Sequence, residues 1–407
     1  MMLKSTSEEM LNLDFLRFYA SAAIVWHHSH EFLIPEAQRA TAGERTAGLA
    51  LFVDLFFLIS GFVIAHVYRG RVASLPQFGR FMQRRIGRLF PLHLLTFVLA
   101  VAMWAVIGRF AHADHAPSND PSCMVRTVFL AHAIFPGCNG LYYNGVNWSI
   151  SAEMLMYILF PLLSLAAVRA RGGGLFVVLG FTAFVAFLAF RVNDTARVWT
   201  DLYPPIRALP SFALGVSASY ARGLLARVRG GSWLTVPLVV ASTVAAMIGA
   251  PGSAQLALIV ATGLSAIAAD VRGEVLPLVR RLAPLGQLTY SVYLWHGFFI
   301  LVLLNAAGDK LLHLSLAPMV ALMMFTYAAS RSGATCHGAT SRHRPGAGLM
   351  ACSAGVASLD RRLPRSAVDA RTVATRRSRQ PFRFRLRAAL PIKRDSKRKR
   401  VLRHDQA

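Results

Sequence analysis

The sequence predicts an all-α fold, a polytopic transmembrane bundle of about ten spans followed by a disordered basic tail, and three observations carry that expectation. Hydrophobic residues fill 55% of the 407 positions and mean hydropathy is +0.46, above the roughly 45–50% apolar share of a soluble chain. Apolar windows of about 20 residues recur at 13–34, 48–68, 89–109, 147–168, 174–190, 205–221, 233–250, 253–269, 287–307 and 311–330. Arginines cluster in alternate connections: Arg69, Arg71, Arg80, Arg84, Arg85 and Arg88, then Arg169 and Arg171, then Arg222, Arg227 and Arg229, then Arg272, Arg280 and Arg281. Short basic loops mark the cytoplasmic face. The expected location is the inner (plasma) membrane, with the N-terminus cytoplasmic.

The formal charge of +25 resembles a nucleic-acid signal until it is divided along the chain. Residues 331–407 hold 20 of the 44 Lys and Arg but only four acids, and most of the remaining bases lie between apolar runs. Topology explains them, so no nucleic-acid partner is expected. The chain divides into a transmembrane domain, 1–330, and a basic segment, 331–407. That segment has no Glu, Trp or Tyr and no sustained helical or strand period. It reads either as a disordered tail drawn to anionic lipid or, preferably, as the out-of-frame product of a shift near residue 330.

The first apolar run, LDFLRFYASAAIVWHHSH, carries charge where lipid-compatible residues are expected. It lacks the basic start and small-residue cleavage site of a signal peptide, so it is expected to stay as a helix. Arg17 and His28 are eleven residues apart, about three turns, which places both on one face about 16 Å apart along the axis. One helix then links two membrane depths. Ionisable groups at such depths are costly and usually functional, although Arg17 could be a snorkelling anchor and His28 a satisfied buried histidine. His27 and His30 lie about 100° and 200° around from His28, off that face.

In the second run, Asp54, Ser60 and Gly61 stand in DLFFLISGF. The glycine suits close helix approach and the serine a bond to its own backbone or a neighbouring helix. Arg85 and Arg88 follow in FMQRRIGRLFP, one turn apart with Arg84 adjacent; planar guanidinium donors suit phosphates. Between the third and fourth runs, residues 110–146 form the longest connection. It carries Cys123 and Cys138, an extracytoplasmic pair that could bridge or could remain two thiols, and TVFLAHAIFPG, which is too short to span and could re-enter. None of the four cysteines has a metal-ligand spacing, and no metal is implied.

The fourth run, NWSISAEMLMYILFPLL, sets Glu153 and Tyr157 four residues apart on one face, after Trp148 and Ser149 at the expected external surface. A carboxylate there needs a partner; it could orient His28 and stabilise its imidazolium, or bind acceptor hydroxyls. His296 closes LGQLTYSVYLWH, a Tyr/Trp-rich run of the interfacial kind, and receives a supporting role.

These five patterns, in this order and at these separations, resemble the integral membrane acyltransferases of acyltransferase family 3, over most of residues 11–300. The resemblance implies transfer of an acyl group, acetyl for preference, from cytoplasmic acyl-coenzyme A, a co-substrate rather than a resident cofactor, to a hydroxyl of a surface polysaccharide or related glycan. It implies that Arg17 and His28 are essential and that Arg85, Arg88 and Arg84 hold the donor. A histidine can take a hydroxyl proton or relay the acyl group. Where the family has WSLSVEEQFY, this chain keeps Glu153 and Tyr157 but has Met154 in place of the second acid. The competing expectation is a proton-coupled secondary transporter, whose relay would also use buried Arg, His and Glu; the halves show no inverted repeat. A sensor or scaffold would leave those buried charges without a use.

Overall fold

A computed structural model describes residues 9–33, 46–110, 120–135, 143–169, 183–191 and 193–304, with residues 43, 138, 312, 314, 318, 321 and 322. The expectations for the 311–330 run as a span and for the 331–407 tail lie outside the described residues. Those residues hold helices and turns and no strand. Besides a helical stretch over 183–190 they are, in order, α1 (Leu11–Leu33), α2 (Phe52–Tyr68), α3 (Leu75–Phe110), α4 (Pro121–Val128), α5 (Trp148–Arg169), α6 (Ala196–Thr200), α7 (Pro204–Tyr220), α8 (Arg222–Leu225), α9 (Gly231–Met247), α10 (Gly252–Arg272), α11 (Pro277–Leu282) and α12 (Thr289–Phe299). Helical 3-10 turns lead into α2, α5 and α12, and α12 continues as a π-helix to residue 304.

Five helical stretches among the described residues are long and apolar enough to cross a bilayer: Ala47–Tyr68, Leu75–Arg109, Gly145–Val168, Gly252–Arg272 and Pro277–Leu304. The sequence expectation is about ten. α7 and α9 are helices of 17 residues, just short of the roughly 20 that span 30 Å, and α1 has the length but carries Asp14, Arg17 and three histidines. Outward faces are apolar, with Val98 62% and Leu162 65% exposed, as lipid contact requires.

Only residues 69–74 of the 69–88 connection are turn and bend, whereas the sequence expectation begins the helix at 89. Residues 75–110 form one helix of 36 residues, about 54 Å long, so Arg80, Arg84, Arg85 and Arg88 stand on a rigid extension of a spanning helix. The apolar run ends there, but the helical hydrogen bonding does not.

Two contacts fix the frame around the site. α2 and α7 meet backbone to backbone: a Cβ on Gly61 would overlap the Phe212 carbonyl oxygen, and one on Gly215 would overlap that of Leu58. Small residues permit this approach. Beside it lies a buried ion pair, Asp54 and Arg207, 1% and 2% exposed and 2.8 Å apart. Trp199 Nε1 donates to the other Asp54 oxygen at 2.9 Å, and Arg207 also donates to the carbonyls of Ala50 and Thr200. With both partners saturated, the pair is tolerable in a dry interior, and its rupture is costly.

α1 is fastened at its start by α10. The Asp270 carboxylate accepts the backbone N–H groups of Asn12 at 2.9 Å and Leu13 at 3.0 Å, and the Asn12 side chain at 2.8 Å. A first helical turn leaves such donors without partners in its own helix, and here a distant helix satisfies them. Gly286, in the turn before α12, lies directly on the Asp14 backbone, with no room for a Cβ. The axial position of Arg17 and His28 is thereby set.

Candidate active site

α1, α2, α3, α5 and α12 enclose a cavity of about 420 Å³. From α1 it receives Asp14 and Arg17, from α2 Phe56 and Ser60, from α3 Arg85 and Arg88, from α5 Ser149, Glu153 and Tyr157, and from α12 Tyr290 and Tyr293. Arg17 Nη1 donates to Asp14 at 2.7 Å, one turn back on its own helix. Glu153 Oε1 accepts both the Ser60 hydroxyl and the Tyr157 hydroxyl at 2.6 Å. Arg85 donates through Nη2 to the Tyr68 hydroxyl at 3.1 Å, while its Nε is buried without a hydrogen-bond partner among the described residues. Three cations and two carboxylates leave the lining net positive, and the cation of Arg85 lies 5.3 Å from the Tyr68 ring centre and 5.8 Å from that of Tyr157.

A second cluster sits further along α1. His28 Nδ1 lies 3.0 Å from His296 Nε2, and the two ring planes are within 22° of one another. His296 is fully buried, whereas His28 is exposed. His296 Nδ1 lies 2.6 Å from the Tyr293 carbonyl oxygen. Tyr293 therefore belongs to both places: its ring lines the cavity and its backbone holds His296. Its hydroxyl accepts from Ser149 at 2.8 Å.

The residues singled out by sequence divide accordingly. Arg17, Arg85, Arg88, Ser60, Ser149, Glu153 and Tyr157 line one cavity, and His28 with His296 forms the adjoining pair. Arg84 is exposed and is not part of the lining. Asp54 and Trp148 stand behind the wall: Asp54 is consumed by Arg207 and Trp199, and Trp148 lies under the Arg207 guanidinium, 5.0 Å from ring centre to cation. Cys123 and Cys138 are bonded, with Cα atoms 5.5 Å apart. The described part of TVFLAHAIFPG makes turns tied to α5, where Ser151 accepts from the Ala133 N–H and donates to the Leu130 carbonyl.

Two expectations are corrected. Of the two roles open to Glu153, orienting His28 is not the one seen: the group facing His28 is His296, and Glu153 faces the arginine cavity, held by two hydroxyls. His296, which closes a run of the interfacial kind, is itself fully enclosed. His27 is not remote from His28, because their ring centres lie 5.1 Å apart, and the His30 ring centre lies 5.8 Å from that of His27. Angular separation on a helix overlooks the reach of large rings. Asp14, Tyr290, Tyr293 and Arg207 escape the sequence reading. Arg207 has a signal, a lone guanidinium inside the apolar run PPIRALPSFALG.

Residues 10–330 match the sequence model of the Acyltransferase domain. The chain belongs to acyltransferase family 3. Similar proteins include protein 2 of the picA locus of Rhizobium radiobacter, 29% identical over 42% of this chain and 86% of its own length. Acyltransferase MdmB of Streptomyces mycarofaciens is 29% identical over 37% of this chain and 38% of its own length. BcsY of Komagataeibacter xylinus, named as a membrane-bound transacylase, is 28% identical over 70% of this chain and 71% of its own length. No solved structure matches. As a family 3 acyltransferase the protein is an enzyme of the membrane with several apolar spans, and the transporter reading is set aside.

Proposed function

We propose that this acyltransferase moves an acyl group, acetyl for preference, from acyl-coenzyme A on the cytoplasmic side to a hydroxyl of a cell-surface or exported glycan on the other. The observation that carries the proposal is the pairing, along one helix, of an arginine-lined cavity with a histidine pair. Arg85 and Arg88, with Arg17, give the cavity the planar cationic donors that a diphosphate and a 3′-phosphate require, and the buried Arg85 Nε retains a donor for an anion. Arg84, exposed beside them, would meet the donor at the mouth.

His28 is the general base. As the glycan oxygen attacks the thioester carbonyl, a C–O bond forms and the hydroxyl proton passes to His28. The C–S bond then breaks, and the departing thiolate takes that proton from the His28 imidazolium, which leaves free coenzyme A and a neutral His28. Glu153, Tyr157, Ser60 and Ser149 shape the path between the two places, while Asp54 and Trp148 support it from behind. The proposal includes an inner-membrane location, ten spans, a cytoplasmic N-terminus, and a catalytic domain confined to residues 1–330.

The test is reconstitution of the full chain in proteoliposomes with labelled acetyl-coenzyme A supplied on one side only. Label should reach a glycan acceptor on the opposite side, with one coenzyme A released per acyl group transferred. Label that appears only in free acetate, with acceptor present, would overturn the transfer.

A further inference from the structure

We infer that His296 is the positioning residue for His28: it fixes the tautomer with the proton on Nδ1 and so makes Nε2 the basic atom. This rests on the reading of His28 as the base, but the tautomer itself follows from the hydrogen bonds. A carbonyl oxygen can only accept. The Tyr293 carbonyl, 2.6 Å from His296 Nδ1, therefore requires an N–H on that nitrogen. A neutral imidazole protonated on Nδ1 has its lone pair on Nε2. That lone pair faces His28 Nδ1 at 3.0 Å, and a bond between two nitrogens needs one proton. It must come from His28. The remaining nitrogen of His28, Nε2, then carries the lone pair.

The opposite assignment would need a His296 imidazolium, donating from both nitrogens. His296 is fully buried, and among the described residues no carboxylate forms an ion pair with it. An isolated buried cation is strongly disfavoured. The neutral chain Tyr293 O, His296, His28 runs in one direction and satisfies each group. It also makes geometric sense: the enclosed ring serves as the acceptor, and the exposed ring presents its free nitrogen to a hydroxyl. When His28 takes a proton, its Nδ1–H still points at a lone pair, so the new imidazolium is stabilised without rearrangement. The arrangement is that of a catalytic histidine oriented by a third group, with a second imidazole in place of a carboxylate.

The test reads the tautomer directly, in the full chain labelled with ¹⁵N-histidine in nanodiscs, with His28 assigned by the signals lost in His28→Gln. Ring shifts should show His28 protonated on Nδ1 and unprotonated on Nε2; the reverse pattern overturns the inference whatever the catalytic outcome. Kinetics give the second arm. His296→Leu removes the acceptor and should lower kcat about 10²–10⁴-fold, the range for a base lost or misoriented, with the KM for acetyl-coenzyme A unchanged. His296→Gln keeps an acceptor oxygen and should recover at least tenfold of that loss. Equal inactivity of Leu and Gln variants, both folded by thermal melting, would overturn the role. A fully active His28→Ala would instead remove the base reading, while the tautomer seen in the ring shifts would still stand.

Discussion

At its first turns α1 meets groups that are already charged and already paired: Arg17 on Asp14, Arg85 on the Tyr68 hydroxyl, Glu153 under two hydroxyls. Eleven residues on, at His28, it meets imidazoles ordered by a single chain of hydrogen bonds that ends on a backbone carbonyl. The first place holds fixed charges around a volume, which suits binding. The second holds an enclosed imidazole against an exposed one, which suits chemistry. Removing a group from the binding end should change affinity, whereas removing one from the reactive end should change turnover, and each of the following experiments can break that division.

The largest effect is expected from His28→Ala, which should lower acyl transfer by about 10²–10⁴-fold through loss of the base, with coenzyme A affinity and membrane insertion intact. Near-normal turnover in well-expressed protein would end the division. Arg207→Met comes next. It strands Asp54 in the interior and should cost about 3–5 kcal/mol of stability, read as an earlier thermal unfolding in detergent, with both ends impaired together; loss at only one end would show that the frame does not serve both. Either single variant, Arg85→Ala or Arg88→Ala, removes a charge-assisted bond of about 1.5–3 kcal/mol and should raise the donor KM roughly ten- to hundredfold while kcat at saturation stays near normal. Unchanged coenzyme A affinity would return both arginines to a topological role. Tyr157→Phe is the mildest. Glu153 keeps the Ser60 hydroxyl but loses about 0.5–1.5 kcal/mol of hydrogen bonding, so a shift in donor KM of tenfold or less is expected, and a large fall in kcat would place Glu153 at the reactive end instead.

The sequence makes the poles of this comparison legible and leaves their partners hidden. Apolar windows locate the helices, and helical spacing aligns Arg17 with His28, because both signals are local. The family's patterns reach as far as Glu153 and His296. They cannot show that His296 stands against His28, 268 positions away, or that Glu153 is turned toward the arginines, since each depends on how separate helices rotate against one another. The arginines of residues 80–88 look like a loop because hydropathy cannot separate a polar helix from an irregular connection. Arg207 is visible as a charge in an apolar run, and its neutralisation by Asp54, 153 positions earlier, is not.

The fastening of the first turn of α1 by Asp270 bears on how the protein is made. α1, which carries both poles, is made before α10, yet its leading amides find their acceptor only after some 258 further residues have been synthesised. Contacts of such separation form late, because the intervening chain must first be closed into a loop. Until then, the opening turn of α1 has no internal acceptor for those donors and His28 has no His296. α1 is thus locked only once α10 and α12 are in place, and until then the proposed base lacks the ring that positions it.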